Sequence, residues 1–311
     1  MARVRLPIGT FASVLSLTLA LGTLLYEMDY VQRPSTEIVL LATTASAASS
    51  PSISLPFLAD KRNILNQLFV KNAWGWTSVA VVLLILASVH STFNVHRMNA
   101  SSSDSTRKRV LYALLRYALM TSYWFLLTQW FIGPSILDRI FVYTGGECLS
   151  PPSPPASFFS RNTQQVDIST YNSIYSSHHC RRQGGIWSLG HDISGHAFIL
   201  LLSALYLISE LHILRPKSRL FLRSLLLRFP VVLLVWLWWV MLAATAVYFH
   251  SWQEKVTGWV FGITFPLLIY GPLKDRLVPR EEMWVEEVHW SPDSLDSHRN
   301  GSVDAVQRKN E

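Results

Sequence analysis

Long apolar blocks separated by short polar ones dominate the chain. Roughly 20 apolar residues in a helix cross a bilayer core. Six blocks approach that length, at residues 6–26, 74–93, 111–133, 196–214, 229–249 and 256–272. The first carries no charge, the second has His90 as its ionisable group, and the third holds Arg116. The fourth carries Glu210 and His212 near its end, the fifth contains Trp236, Trp238 and Trp239, and the sixth is the shortest. Helices of soluble cores are typically about 10–14 residues long and amphipathic, whereas these are longer and apolar all round. The pattern predicts an all-α integral membrane protein with six transmembrane helices. Its membrane domain spans residues 1–272, with a Pro/Ser/Asn-rich loop at 134–190 inside it and a mixed-charge tail at 273–311. Arg3 and Arg5 also fit the start of a signal peptide, but Glu27-Met28-Asp29 follows the first block without a small-residue cleavage site.

Composition strengthens this picture. Of 311 residues, 50% are hydrophobic and 15% charged, against about 25% charged in soluble domains. The net charge of +7 is placed as a topology signal. With the N-terminus in the cytosol, Arg97, Arg107, Lys108 and Arg109 fall in one short cytosolic loop. Arg215, Lys217, Arg219, Arg223 and Arg228 fall in the other. The first two lumenal loops are longer and sparser in basic residues. Excess Lys and Arg mark the cytosolic side, so both termini are expected there. A nucleic-acid partner would need a basic soluble face, and none is expected. Cys148 and Cys180 share one loop on the lumenal side, where a disulfide persists; two unrelated thiols are the alternative. The sequons at Asn99 and Asn300 fall on the cytosolic side and are expected to stay unmodified.

Ionisable groups at membrane depth are costly and mark function by default. Two polar clusters stand out, Gly190–His196 at the start of the fourth span and Tyr248–Lys255 at the end of the fifth. A short cytosolic loop joins these spans, so His196 and His250 lie on the same membrane face. Each arm has about 20 residues, or about 30 Å, which puts the two imidazoles at similar depth. Two such groups can divide phosphoryl transfer: one attacks phosphorus as a neutral imidazole and the other protonates the leaving oxygen. Asp192 and Glu254 stand four residues from His196 and His250, the spacing at which helical side chains meet, and are expected to orient them. Ser194 and Gly195 complete the cluster, and Gly195 lets a backbone or phosphate approach. Arg181, Arg182 and Lys255 are the nearby cations for phosphate. The bland alternative is that each His is an interfacial polar residue. A zinc site from His191, His196 and His250 is disfavoured, because a five-residue gap puts the first two on different helical faces. No metal or cofactor is expected. Arg116, Glu210 and His212 are expected to snorkel from cytosolic span ends.

The string His191-Asp192-Ile193-Ser194-Gly195-His196-Ala197-Phe198, followed by Tyr248-Phe249-His250 within six spans, resembles the fat-storage-inducing transmembrane (FIT) family, especially its fungal branch. That family is in turn similar to the lipid phosphate phosphatases, whose Ser-Gly-His motif matches Ser194-Gly195-His196. The resemblance implies a multi-pass protein of the endoplasmic reticulum membrane whose active site faces the lumen. It implies a fatty acyl-CoA diphosphatase that gives acyl 4′-phosphopantetheine and adenosine 3′,5′-bisphosphate. Such an enzyme supports lipid-droplet formation, phospholipid metabolism and reticulum shape, with acyl-CoA and membrane lipids as its partners. By this likeness His250 is the nucleophile, His196 the acid and Glu254 the acidic partner of His250. Two departures stand out. Ala243 and Ala244 replace the Ser-Arg pair of the lipid phosphatases, and their Lys/Arg-Pro phosphate motif is not evident. Phosphate binding is therefore unassigned. The rival readings are a non-catalytic membrane protein that binds neutral lipid and a lipid phosphate monoesterase of the same chemistry.

Overall fold

The computed structural model describes residues 8–28, 56–95, 102–129, 134–149, 176–182, 185–214 and 221–278. The long helices are α1 (Ile8–Glu27), α2 (Ala73–Val95), α3 (Ser102–Thr128), α6 (Gly195–Ile213), α7 (Phe221–Tyr248) and α8 (Trp252–Tyr270). Short elements lie between and after them: α4 (Ile136–Tyr143), β1 (Glu147–Leu149), α5 (Ser177–Arg182), β2 (Ile186–Ser188) and α9 (Lys274–Leu277). By length and composition, α1, α6 and most of α3 and α7 can each cross a membrane, while α2 carries the shorter apolar stretch Ala73–Val89.

α6 is the axis of the bundle. Leu200, Leu201, Leu202, Leu205, Tyr206 and Leu207 on it are fully buried, and it packs against α8, α7, α2 and α1. Lipid tails are as apolar as these side chains, so close van der Waals packing decides which helices meet. Gly258 and Gly262 supply it: a Cβ on Gly258 would stand 2.6 Å from Ser194 O, and one on Gly262 would stand 2.8 Å from Leu201 Cβ. The four-residue spacing of these glycines lets α8 lie directly on α6. Hydrogen bonds from Trp239 Nε1 to Thr18 Oγ1 (3.0 Å) and from Trp259 Nε1 to Ser16 Oγ (2.7 Å) fasten α1 to α7 and α8. α1 is thus a working member of the bundle.

Helix ends differ from the apolar blocks where capping and charge act. α7 begins at Phe221 rather than 229, because the leucine-rich turns before Phe229 continue the helix although Arg223 and Arg228 interrupt their apolar run. α8 begins at Trp252 rather than 256, because the Glu254 carboxylate accepts from the Ser251 N–H (2.9 Å), one half of a capping box. Two expectations need correction. Arg116 and Glu210 do not snorkel: both side chains are 0% exposed, and Arg116 Nε and Nη2 donate to the two Glu210 oxygens at 2.6 and 2.9 Å. Tyr270 also donates to Glu210 (2.6 Å), and Arg116 Nη1 donates to Leu277 O (2.9 Å). Facing helices here supply every partner, so no group needs to reach water.

The second correction concerns the loop at 134–190, whose two ends are folded. α4 leads into β1, which pairs antiparallel with β2, and a disulfide joins Cys148 to Cys180. Phe141 stacks on Trp187 at 4.4 Å between centroids, giving this cap its own small core. The proline run at 151–155, Arg3, Arg5, both sequons and the tail from 279 onward lie outside the described residues.

Candidate active site

The two histidines predicted to meet do line one cavity of about 1070 Å³, together with Asp192, Gly195, Arg181 and Phe249. His196 is held by the first turn of α6. Ser194 is the N-cap, its Oγ accepting from Ala197 N (3.3 Å) and its N–H donating to Glu254 O (3.1 Å). Ser194 thereby joins the start of α6 to the start of α8, the segment that also carries Glu254. A Cβ on Gly195 would meet nothing within 4 Å, so this position opens on the cavity.

His250 stands at the corner between α7 and α8 with φ of 61°. A left-handed backbone at a residue other than glycine costs roughly 1–2 kcal/mol, and such strain concentrates at functional sites. Glu254 Oε2 lies 3.3 Å from His250 Nδ1. A carboxylate only accepts, so Nδ1 carries the proton and Nε2 keeps its lone pair. The ring is about one-fifth exposed, open enough for a substrate to reach that nitrogen.

The partner of His196 is not the expected one. Asp192 precedes the helix, whose cap is Ser194, and so is off the helical face of His196. Instead His196 Nε2 lies 2.8 Å from Asn66 Oδ1. Asn66 Nδ2 donates to Lys61 O (2.8 Å), which turns Oδ1 toward the ring. His196 Nε2 is therefore the donor, and Nδ1 is the nitrogen free to gain and lose a proton. Asp192 faces His250 and Arg181. Burial pushes its carboxyl above the ordinary carboxylate range, and the positive charge that these two neighbours can carry opposes the shift.

The cations also need correction. Arg181 lines the cavity but Arg182 does not. Lys255 is buried, donates from Nζ to Ala246 O (2.7 Å) and lies over the Tyr26 ring (3.8 Å), away from the cavity. The cavity's other cations are Lys61, Arg62 and Lys71, from the segment before α2. Sequence reasoning missed these and Asn66, although a readable signal existed: Lys61-Arg62-Asn63 and Asn66-Gln67 stand just before a span, on the side predicted for the His pair. Ala244 is part of the wall and brings no charge. His191 is taken by Thr257 Oγ1 (2.9 Å) and Cys180 by its disulfide. Among the described residues no three His, Cys, Asp or Glu side chains converge as a metal site.

Comparison with known proteins gives the same family as the resemblance. The sequence model of the fat storage-inducing transmembrane protein family matches residues 54–224 and 218–270. Acyl-coenzyme A diphosphatase fit1 of Schizosaccharomyces pombe is 31% identical over 215 residues, covering 69% of this chain and 72% of that protein. Acyl-coenzyme A diphosphatase FITM2 of Mus musculus is 32% identical over 214 residues, with 67% and 69% covered. The Homo sapiens FITM2 is 32% identical over 213 residues, again with 67% and 69% covered. No solved structure matches.

Proposed function

The chain belongs to the fat storage-inducing transmembrane protein family, and on that premise we propose that it is a membrane hydrolase cleaving the diphosphate bond of acyl-coenzyme A. The observation that carries the reading is the pair of imidazoles on one cavity, each with one ring nitrogen tied off. His250 Nε2 attacks phosphorus, the bridging P–O bond breaks, and the phosphate that leaves takes the electron pair. His196, made an imidazolium when the charged diphosphate is beside it, gives that oxygen a proton from Nδ1 and is left as the neutral ring with its Nε2–H on Asn66. Water then attacks the phosphohistidine, His196 takes back a proton, and the P–N bond breaks to restore His250. The products are acyl 4′-phosphopantetheine and adenosine 3′,5′-bisphosphate. The acyl chain lies among the apolar helices, each methylene so buried contributing about 0.8 kcal/mol.

In this reading the protein has six spans, α2 and α8 completing the set, with both termini cytosolic. It resides in the endoplasmic reticulum, and its cavity faces the lumen. Support comes from the basic loops at 97–109 and 215–228 and from the disulfide next to Arg181 in the chain, since disulfides persist in oxidising compartments. The helical arrangement is related to that of the lipid phosphate phosphatases, which share Ser-Gly-His. Their mechanism serves here with a different set of phosphate-binding cations.

The test uses purified full-length protein in detergent with oleoyl-CoA, following adenosine 3′,5′-bisphosphate by mass spectrometry. Wild type releases it, and His196→Ala and His250→Ala do not. If no folded protein releases it while all bind neutral lipid, the lipid-binding reading replaces this one. Phosphate release from phosphatidate alone points instead to a monoesterase.

A further inference from the structure

The segment before α2 reaches across the molecule to touch the site, and its internal bonding is built around one residue. The backbone carbonyl of Lys61 accepts from Asn66 Nδ2 and from Gln67 Nε2, both at 2.8 Å. Asn63 Oδ1 accepts from the Asn66 N–H (2.7 Å) and Asn63 Nδ2 donates to Asp60 O (2.7 Å). Asn63 and Asn66 are themselves buried. Two side-chain amides thus clamp the main chain of Lys61, an exposed lysine on a loop, where an ordinary surface lysine needs no such support. Its ammonium stands 5.8 Å from the centroid of the Phe249 ring, and Phe249 directly precedes His250. Lys61 also stands close enough to His196 for its charge to act on that ring. Among the described residues, no carboxylate lies within ion-pair distance of Lys61. A cation over the Phe249 ring and close to His196 thus has no carboxylate partner there.

Arg62 follows Lys61 on the cavity wall, and two of the other cavity cations are placed differently. Lys71 Nζ is engaged by Gln67 Oε1 (2.8 Å). Arg181 belongs to the cap and faces Asp192. Resting on the diphosphatase reading, we infer that Lys61 receives the diphosphate of the substrate, and that Asn66 is the positioning residue that ties this cation to His196. The same amide that holds the Lys61 backbone holds the His196 ring, so charge and proton donor keep a fixed spacing. Charge-assisted hydrogen bonds to phosphate are among the stronger polar contacts. One such contact compensates for the arginine that Ala244 does not provide.

The experiment compares wild type, Lys61→Ala, Lys61→Arg and Asn66→Ala on oleoyl-CoA and on oleoyl-3′-dephospho-CoA. Lys61→Ala is expected to raise KM about 10- to 100-fold, by the same factor on both substrates, and Lys61→Arg to restore most of it. Asn66→Ala is expected to lower kcat and to raise KM less than Lys61→Ala does, since Gln67 still holds the Lys61 carbonyl, a split that general loss of structure does not produce. Binding of inorganic pyrophosphate, measured calorimetrically on the same proteins, tests Lys61 independently of turnover. Loss in Lys61→Ala and recovery in Lys61→Arg support the assignment even if oleoyl-CoA is not cleaved, in which case only the diphosphatase reading falls. Unchanged KM and pyrophosphate affinity in Lys61→Ala overturn the assignment. A loss confined to oleoyl-CoA also overturns it, since the lysine then reads the 3′-phosphate.

Discussion

One helix carries two polar sites of opposite character. His196 begins α6, and Glu210 follows fourteen residues later, about 21 Å along the axis. The Glu210 site is closed: Arg116, Tyr270 and the Leu277 carbonyl complete it, and neither charged side chain is exposed. The His196 site is open: it borders a cavity, its cations outnumber the acids that meet them, and each imidazole keeps one nitrogen unused. Ionisable groups at membrane depth therefore fall into two kinds. A set that satisfies itself holds helices together; a set left incomplete is prepared for something that is not protein. Depth alone does not separate them, and the count of unspent donors and charges does.

This contrast is breakable. The largest effect is expected at the open site: His250→Ala should lower turnover of oleoyl-CoA by about 10⁴-fold or more while thermal unfolding in detergent stays where it was. A large fall in melting temperature would mean that the open site is also structural. At the closed site the effects should invert. Arg116→Ala leaves the Glu210 charge buried without its partner and should cost about 3–5 kcal/mol of stability, whereas Arg116→Met with Glu210→Met should recover most of it. Unfolding measurements on both proteins decide this, and the double variant should retain turnover.

The cap stands between these extremes. Cys180→Ser opens a loop whose ends are separated by 32 residues and should cost about 3–4 kcal/mol on the chain-entropy account. It should weaken substrate affinity through Arg181 while sparing the chemical step, so KM rises more than kcat falls. The smallest effect is expected at Asp192. Its carboxyl is raised by burial, so the fold favours the protonated form. The contribution of Asp192 to stability is full below the ordinary value of about 3.9 and is lost as pH rises through the elevated one. Asp192→Asn should thus gain on wild type as pH rises, seen as a melting difference that grows from pH 4 to pH 7. A difference that stays constant would show that the carboxyl titrates normally.

The parts of this molecule legible in its sequence are those set by distances along the chain. Length and apolarity located the long helices, and equal arms around a short loop brought His196 and His250 to one end. Glu254 needed only the four-residue step beside its histidine. What escaped depends on which helices dock. Asn66 and His196 are 130 positions apart, and no periodicity in either segment announces the other. Arg116 and Glu210 each sit near a predicted span end, a place where water is within reach, so their burial follows only once α3 and α8 are placed against α6. Lys255 misled for the reverse reason: it follows Glu254 in the chain, but one step around a helix turns it toward α1 and Tyr26. The Gly258 and Gly262 pair was readable as a close-packing spacing, and it is what brings α8, and with it Glu254, against the start of α6.

The closed pair has a consequence for how the protein is made. Arg116 leaves the ribosome 94 residues ahead of Glu210, an interval of about 5–20 s at ordinary rates of synthesis. Tyr270 comes 60 residues later again, and the Leu277 carbonyl is last of all. Throughout that interval α3 carries a guanidinium that is expensive to leave in lipid. The burial of Arg116 therefore waits for α6, and its contact with the Leu277 carbonyl forms only after that residue has been translated.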